Sequence, residues 1–178
     1  MERLREPFET GRIRFRLLEE RDFDVVYRQF SDPAMCRYFS EPPMDRDEAV
    51  STIEMFQHPE RDSYLRYGLF ERGTGEFLGT CGYHHWDREQ RQVELGYDIW
   101  RDYWRKGYAT EALVPLLEIC FRVLEADLVY VLIHRDNQGS ISTARNAGFE
   151  DSEPCRPLDE PEQVCMKLTR TVWERLNS

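Results

Sequence analysis

From Arg12 to Leu17 the chain alternates: Ile13, Phe15 and Leu17 stand between Arg12, Arg14 and Arg16. A period of two places each set on its own face, which predicts a half-buried strand. The period then changes. Phe23, Val26, Tyr27 and Phe30 recur at helical spacing, predicting a helix over 21–30 that Asp32-Pro33 ends. A second helix is expected from Asp45, where Glu48 three residues on completes a capping box and Ile53 and Phe56 face inward.

Strand patterns dominate the middle. Tyr64 to Phe70 and Phe77 to His85 flank the turn Arg72-Gly73-Thr74-Gly75, and a third strand at Gln92 to Ile99 follows the polar turn Asp87 to Gln90. The longest helical stripe comes next: Ala109, Ala112, Leu113, Leu116, Leu117, Cys120, Phe121 and Leu124. Pro115 lies inside it and is expected to kink the helix rather than end it. Leu128 to Ile133 is a continuous apolar run, hence a buried strand. Ser140 to Ala147 reads as a short helix closed by Gly148, Val164 to Leu168 as a last strand, and Trp173 and Leu176 as part of an amphipathic tail. Antiparallel strands followed by a strand-helix-strand crossover predict a mixed α/β (α+β) sheet with helices on both faces. No repeat or linker divides the 178 residues, so one domain over 1–178 is expected.

Composition narrows the function classes. The formal net charge of −10 argues against a nucleic-acid partner. It suits either steering of a cationic substrate or plain solubility. Five cysteines, an odd number without a CxxC pair, read as reduced core thiols of a cytoplasmic protein. The charged start Met-Glu-Arg-Leu-Arg-Glu has no signal-peptide core, and no apolar run approaches the roughly 20 residues of a membrane span.

The segment Trp104-Arg105-Lys106-Gly107-Tyr108-Ala109-Thr110-Glu111-Ala112 carries the chemistry. It joins a strand to a helix start, where unpaired N–H groups and the positive dipole end receive phosphate oxygens. Gly107 and Ala109 let a ligand approach the backbone, and Arg105 and Lys106 add positive charge. It is neither a Walker loop nor a GxGxxG dinucleotide fingerprint. By itself the pattern is better described as an ordinary helix start.

In its context this segment resembles the pyrophosphate loop of the GNAT superfamily of N-acetyltransferases, in particular its RimJ/RimL-like branch. Trp104 stands where the superfamily has Arg or Gln, and Arg105 where the branch usually has Gly. Glu9-Thr10-Gly11-Arg12 with Phe15-Arg16, Ser31-Asp32-Pro33, Glu94-Leu95-Gly96-Tyr97, and Asn137, Ser140 and Gly148-Phe149 resemble further branch motifs, in order. The resemblance covers nearly the whole chain.

It implies a GNAT-like, mostly antiparallel sheet with a V-shaped gap between the strands ending at Ile99 and His134. Acetyl-CoA would lie there as co-substrate, with no metal. The backbone of Tyr97 and Ile99 would pair with the pantetheine arm, and the Tyr97 N–H would hold the thioester oxygen. Amides of Arg105, Lys106, Gly107, Tyr108, Ala109 and Thr110, next to Trp104, would hold the pyrophosphate. Asn137 would bind near the pantetheine, and Arg145 would either reach the 3′-phosphate or remain a solvated helix residue. Glu94 is the candidate base, its pKa expected to rise beside an apolar strand, although a surface glutamate paired to an arginine fits its position as well. His84 and His85 rank below it, as strand-end histidines are more often structural. The superfamily's frequent thiolate-protonating tyrosine falls at Ala144, which leaves the role vacant. Ser140 is the nearest hydroxyl, though its position fits the N-cap of the 140–147 helix better. Tyr38, Phe39 and the acidic loop from Glu153 through Asp159 and Glu160 to Glu162 would line the acceptor site, or the loop is merely solvated.

The implied activity is acetyl transfer to a primary amine by direct attack. The alternatives are a silent acyl-CoA sensor and a structural protein of the same fold. A homodimer is expected from the branch alone.

Overall fold

The computed structural model describes residues 2–39, 42–57, 63–158 and 161–178. Eight strands form one sheet: β1 (Phe8–Glu9), β2 (Ile13–Leu17), β3 (Leu65–Glu71), β4 (Phe77–Asp87), β5 (Gln92–Ile99), β6 (Leu128–His134), β7 (Glu150–Ser152) and β8 (Gln163–Thr169). Their spatial order is β1-β2-β3-β4-β5-β6-β8-β7. Every neighbouring pair is antiparallel except β5 and β6. Two parallel strands need a crossover, and α4 (Tyr108–Glu118) supplies it.

The two faces are covered by different helices. Ala112, Leu113, Leu116 and Leu117 of α4 pack with Phe15, Tyr67, Leu69, Leu95 and Val129 in the larger core. Side chains buried this fully each contribute about 1.5–3 kcal/mol relative to exposure. On the opposite face Val26 of α1 (Phe23–Ser31) and Ile53 and Phe56 of α3 (Arg46–Gln57) pack against Leu18, Phe70 and Phe77. The Asp45 capping box forms: its carboxylate accepts from the Asp47 and Glu48 amides, and Glu48 accepts from the Asp45 amide at 2.7 Å.

Several boundaries differ from the sequence pattern. Asp32 does more than end α1. It caps a four-residue helix, α2 (Pro33–Cys36), by accepting from the Ala34 and Met35 amides. Helix α4 runs through Pro115 and passes into a π turn at Ile119–Val123. Helix α5 (Gln138–Asn146) starts two residues before Ser140, and its N-cap is Asn137, whose side chain accepts from the Ser140 amide. The N-cap reading of Ser140 is therefore corrected, since Asn137 already holds that place. Gly148, at φ +94°, follows its end. Helix α6 (Arg170–Leu176) seats Trp173 on Phe121. The short β1 and β7 carry too few residues for a pattern. Four of the five cysteines are buried and all are free thiols. Among the described residues, no helix is long and apolar enough to cross a membrane.

Candidate active site

Strands β5 and β6 pair only at Gln92–Leu128, Val93–Val129 and Glu94–Tyr130. Beyond that vertex they part, and Leu95–Ile99 and Val131–His134 become opposite walls of a cavity of about 780 Å³. The Trp100 amide bonds the Leu78 carbonyl of β4 at 2.7 Å. Strand alternation then turns the N–H and C=O groups of Gly96 and Asp98 to β4 and those of Leu95, Tyr97 and Ile99 to the gap. The indole of Trp104 folds back and donates to the Ile99 carbonyl at 2.6 Å.

One end of the cavity is closed by the loop before α4. Trp104, Arg105, Gly107, Tyr108, Ala109 and Thr110 all line it, whereas the Lys106 side chain lies over the Tyr103 ring. Arg105 (φ +60°) and Gly107 (φ +82°) are both left-handed. Arg105 thus adopts the conformation suited to the glycine it replaces in the resemblance. Gly107 is the N-cap of α4 and has no side chain to cap it, so the amides of the first turn are left for a ligand.

Across the gap, the Tyr97 phenol donates to the Ser140 carbonyl and accepts from the Ser140 hydroxyl, both at 3.0 Å. Burial pushes this phenol up to about 12, against the Ser140 hydrogen bond. The sequence reading used only the Tyr97 backbone and missed the contact, because strand and helix meet 43 residues apart in sequence. Ala144 is fully buried and offers no proton. Asn137 lines the cavity, and its side-chain oxygen caps α5. Arg145 is outside the cavity lining and pairs with Asp151 at 3.0 Å, both well exposed, which is the solvated helix position given as the alternative to a 3′-phosphate contact.

Glu94 sits at the vertex, only 5% exposed. His84 Nε2 lies 3.0 Å from one carboxylate oxygen, His85 Nδ1 lies 3.2 Å from the other, and the Arg156 guanidinium donates to that second oxygen at 2.8 Å. Consecutive strand residues normally point to opposite faces. Here the β4–β5 register shifts after His84 and His85 takes φ +51°, so both rings reach one carboxylate. Burial alone would raise the carboxyl. The hydrogen bonds from His84, His85 and Arg156 outweigh it and hold the group well below its usual range. The expected rise is therefore overturned; of the alternative reading, the arginine partner is present as Arg156, but Glu94 is buried rather than at the surface. The neighbouring Asp98 is ion-paired to Arg66, which also donates to Thr80. A Cβ on Gly96 would stand 2.9 Å from Arg66 and 3.1 Å from His84, so a glycine there lets the His84 ring lie against the cavity wall.

Tyr38, Phe39 and Met35 of the α2 segment line the same cavity, and the Tyr38 ring lies 5.7 Å from that of His134. Asp159 and Glu160 fall outside the described residues. Glu162 is exposed and accepts from the Arg135 amide through its carbonyl.

The sequence profile of the acetyltransferase (GNAT) domain matches residues 12–150. The chain is 30% identical over 147 residues to the uncharacterised N-acetyltransferase p20 of Bacillus licheniformis, covering 82% of this chain and 83% of that protein. A putative ribosomal-protein-serine acetyltransferase from Vibrio cholerae shares the fold with a TM-score of 0.76 at 24% identity, over 92% of this chain and 97% of that one. A spermidine N-acetyltransferase from Vibrio cholerae, solved in complex with CoA and spermine, superposes with a TM-score of 0.78 at 15% identity, over 93% of this chain and 99% of its own.

Proposed function

Since the chain belongs to the GNAT acetyltransferase family, we propose that its cavity takes acetyl-CoA and that residues 1–178 act as one domain transferring the acetyl group to a primary amine. The observation that carries this is the parting of β5 and β6 directly above the uncapped first turn of α4. An extended pantetheine arm completes the sheet edge of Leu95, Tyr97 and Ile99, and a diphosphate fits the amides of 108–110. The Tyr97 N–H is placed to receive charge developing on the thioester oxygen.

Glu94 works through the histidines it binds. An ionised carboxylate with three donors orients His84, and a neutral imidazole that donates through Nε2 accepts a proton at Nδ1. That nitrogen faces Gly96, a cavity residue. The amine proton goes to His84 as nitrogen attacks the acetyl carbon, and the C–S bond breaks as the carbonyl re-forms. The Tyr97–Ser140 hydroxyl pair supplies the thiolate proton, in the place left empty by Ala144. The known relatives' amines, spermidine among them, make amines the acceptor class to screen.

Thiol release from acetyl-CoA across a panel of N-terminal peptides, polyamines and amino-acid-like amines tests the activity. Turnover with at least one amine is expected. CoA binding without turnover on any amine would favour the silent sensor, and no binding at millimolar CoA would reject both. Tyr97→Phe is expected to lower kcat about tenfold with little change in the KM for acetyl-CoA. An unchanged kcat would remove the phenol from the proton path.

A further inference from the structure

The opening Thr10-Gly11-Arg12 segment does not line the cavity, yet it grips the loop that does. Glu111, in the first turn of α4, accepts from the Thr10 hydroxyl, the Arg12 amide and Arg12 Nε, each at 2.7 Å. The same guanidinium donates through Nη1 to the Lys106 carbonyl at 2.9 Å and lies 4.4 Å above the Tyr108 ring centroid. One side chain near the start of β2 thus touches the loop before Gly107, the helix residue after it and the first-turn carboxylate.

The charge logic gives this contact a purpose. The positive end of a helix attracts any anion, including the helix's own first-turn carboxylate. A free Glu111 would compete with a diphosphate for the first-turn amides, or repel it. Drawn to Thr10 and Arg12 and neutralised there, it leaves those amides open. The bond to the Lys106 carbonyl also holds the chain between two left-handed residues, Arg105 and Gly107.

We propose that Arg12 is a positioning residue for the diphosphate of the acyl donor: with Thr10 it fastens Glu111 and the Lys106 carbonyl, and so keeps the phosphate loop shaped and its amides free. The proposal rests on the reading of this loop as the CoA diphosphate site. The Arg12 side chain is about half exposed, so a moderate effect is expected rather than a collapse of the fold.

Amide hydrogen exchange in the ligand-free protein reads the grip itself. Arg12→Ala should quicken exchange of the Glu111 amide, the first of α4 with a partner (the Gly107 carbonyl at 3.0 Å), by roughly tenfold. Steady-state kinetics with acetyl-CoA reads its consequence: KM should rise roughly tenfold with kcat within about a factor of two. Arg12→Lys should recover part of the loss, since an ammonium can pair with Glu111 but cannot also span to the Lys106 carbonyl. Adding Glu111→Gln to Arg12→Ala should recover affinity, because the unpaired charge is gone. A merely structural contact predicts the opposite, a deeper loss in the double variant. That result, or an unchanged KM in Arg12→Ala, would overturn the proposal. Should Arg12→Ala fold poorly, Arg12→Lys gives the same reading at smaller amplitude. Quickened exchange together with a wild-type protein that never saturates with acetyl-CoA would reject the CoA reading and leave the grip standing.

Discussion

Glutamine in place of Glu94 is expected to lower kcat by at least about tenfold, with the KM for acetyl-CoA within a factor of about two. The side chain lies outside the cavity lining, at the vertex where β5 leaves β6, so the cofactor walls are untouched by an isosteric change. What changes is charge. Arg156 and two imidazoles lose the carboxylate that holds them together, and an amide must present an N–H to at least one group that itself donates. His84 then loses its fixed orientation over Gly96. His84→Gln is expected to reproduce the defect, and His85→Gln to give a smaller one because its ring is more exposed. Unchanged turnover in both Glu94→Gln and His84→Gln would remove this cluster from the mechanism. The same substitution has a signature in stability. The folded carboxyl is held below its ordinary 4.5, so its contribution is complete above that pH and is lost as the pH falls through the folded value. Acid unfolding monitored by circular dichroism should therefore set in at a higher pH in Glu94→Gln, which is less stable at pH 7, while the stability of the wild type should fall more steeply with pH below 4.5 than that of the variant.

Valine at Gly107 is expected to weaken CoA binding by more than about tenfold, because both its backbone and its surroundings resist a side chain. Gly107 holds φ +82°, a conformation that a β-branched residue rarely adopts. A Cβ there would also come within 3.3 Å of Arg12 Nη2, on the guanidinium whose Nη1 bonds the Lys106 carbonyl. Relaxing either strain moves the amides of 108–110, which a diphosphate needs in fixed positions. Titration calorimetry with CoA checks the affinity, and a thermal melt without ligand separates this from global unfolding. Wild-type affinity in a folded Gly107→Val would show that the loop does not need its left-handed turn.

Most of the fold was legible because burial is periodic. Ile13, Phe15 and the α4 stripe follow from side chains that face one way at fixed spacing, and periodicity needs no partner to be read. Elements too short for a period, such as α2 and β7, were not legible. The glycine-bearing helix start before α4 was also legible, since a left-handed turn and an uncapped first turn are local properties of Gly107 and its neighbours. The side-chain cluster at Glu94 was legible only in part. Glu94 stood out by motif, but its pKa was expected in the wrong direction, because His84, His85 and Arg156 arrive from β4 and from a loop 62 residues away.

The amino-acid sequence by itself determined the order of elements, the two-faced sheet and the uncapped helix start at Gly107, all of them consequences of local spacing and local conformational freedom. The tertiary structure alone decided which side chains meet: Tyr97 with Ser140, Arg12 with Glu111, and two histidines and an arginine on Glu94. Those contacts join residues from 9 to 99 positions apart. Their energies depend on distance, burial and donor geometry, quantities that exist only once the chain has closed on itself.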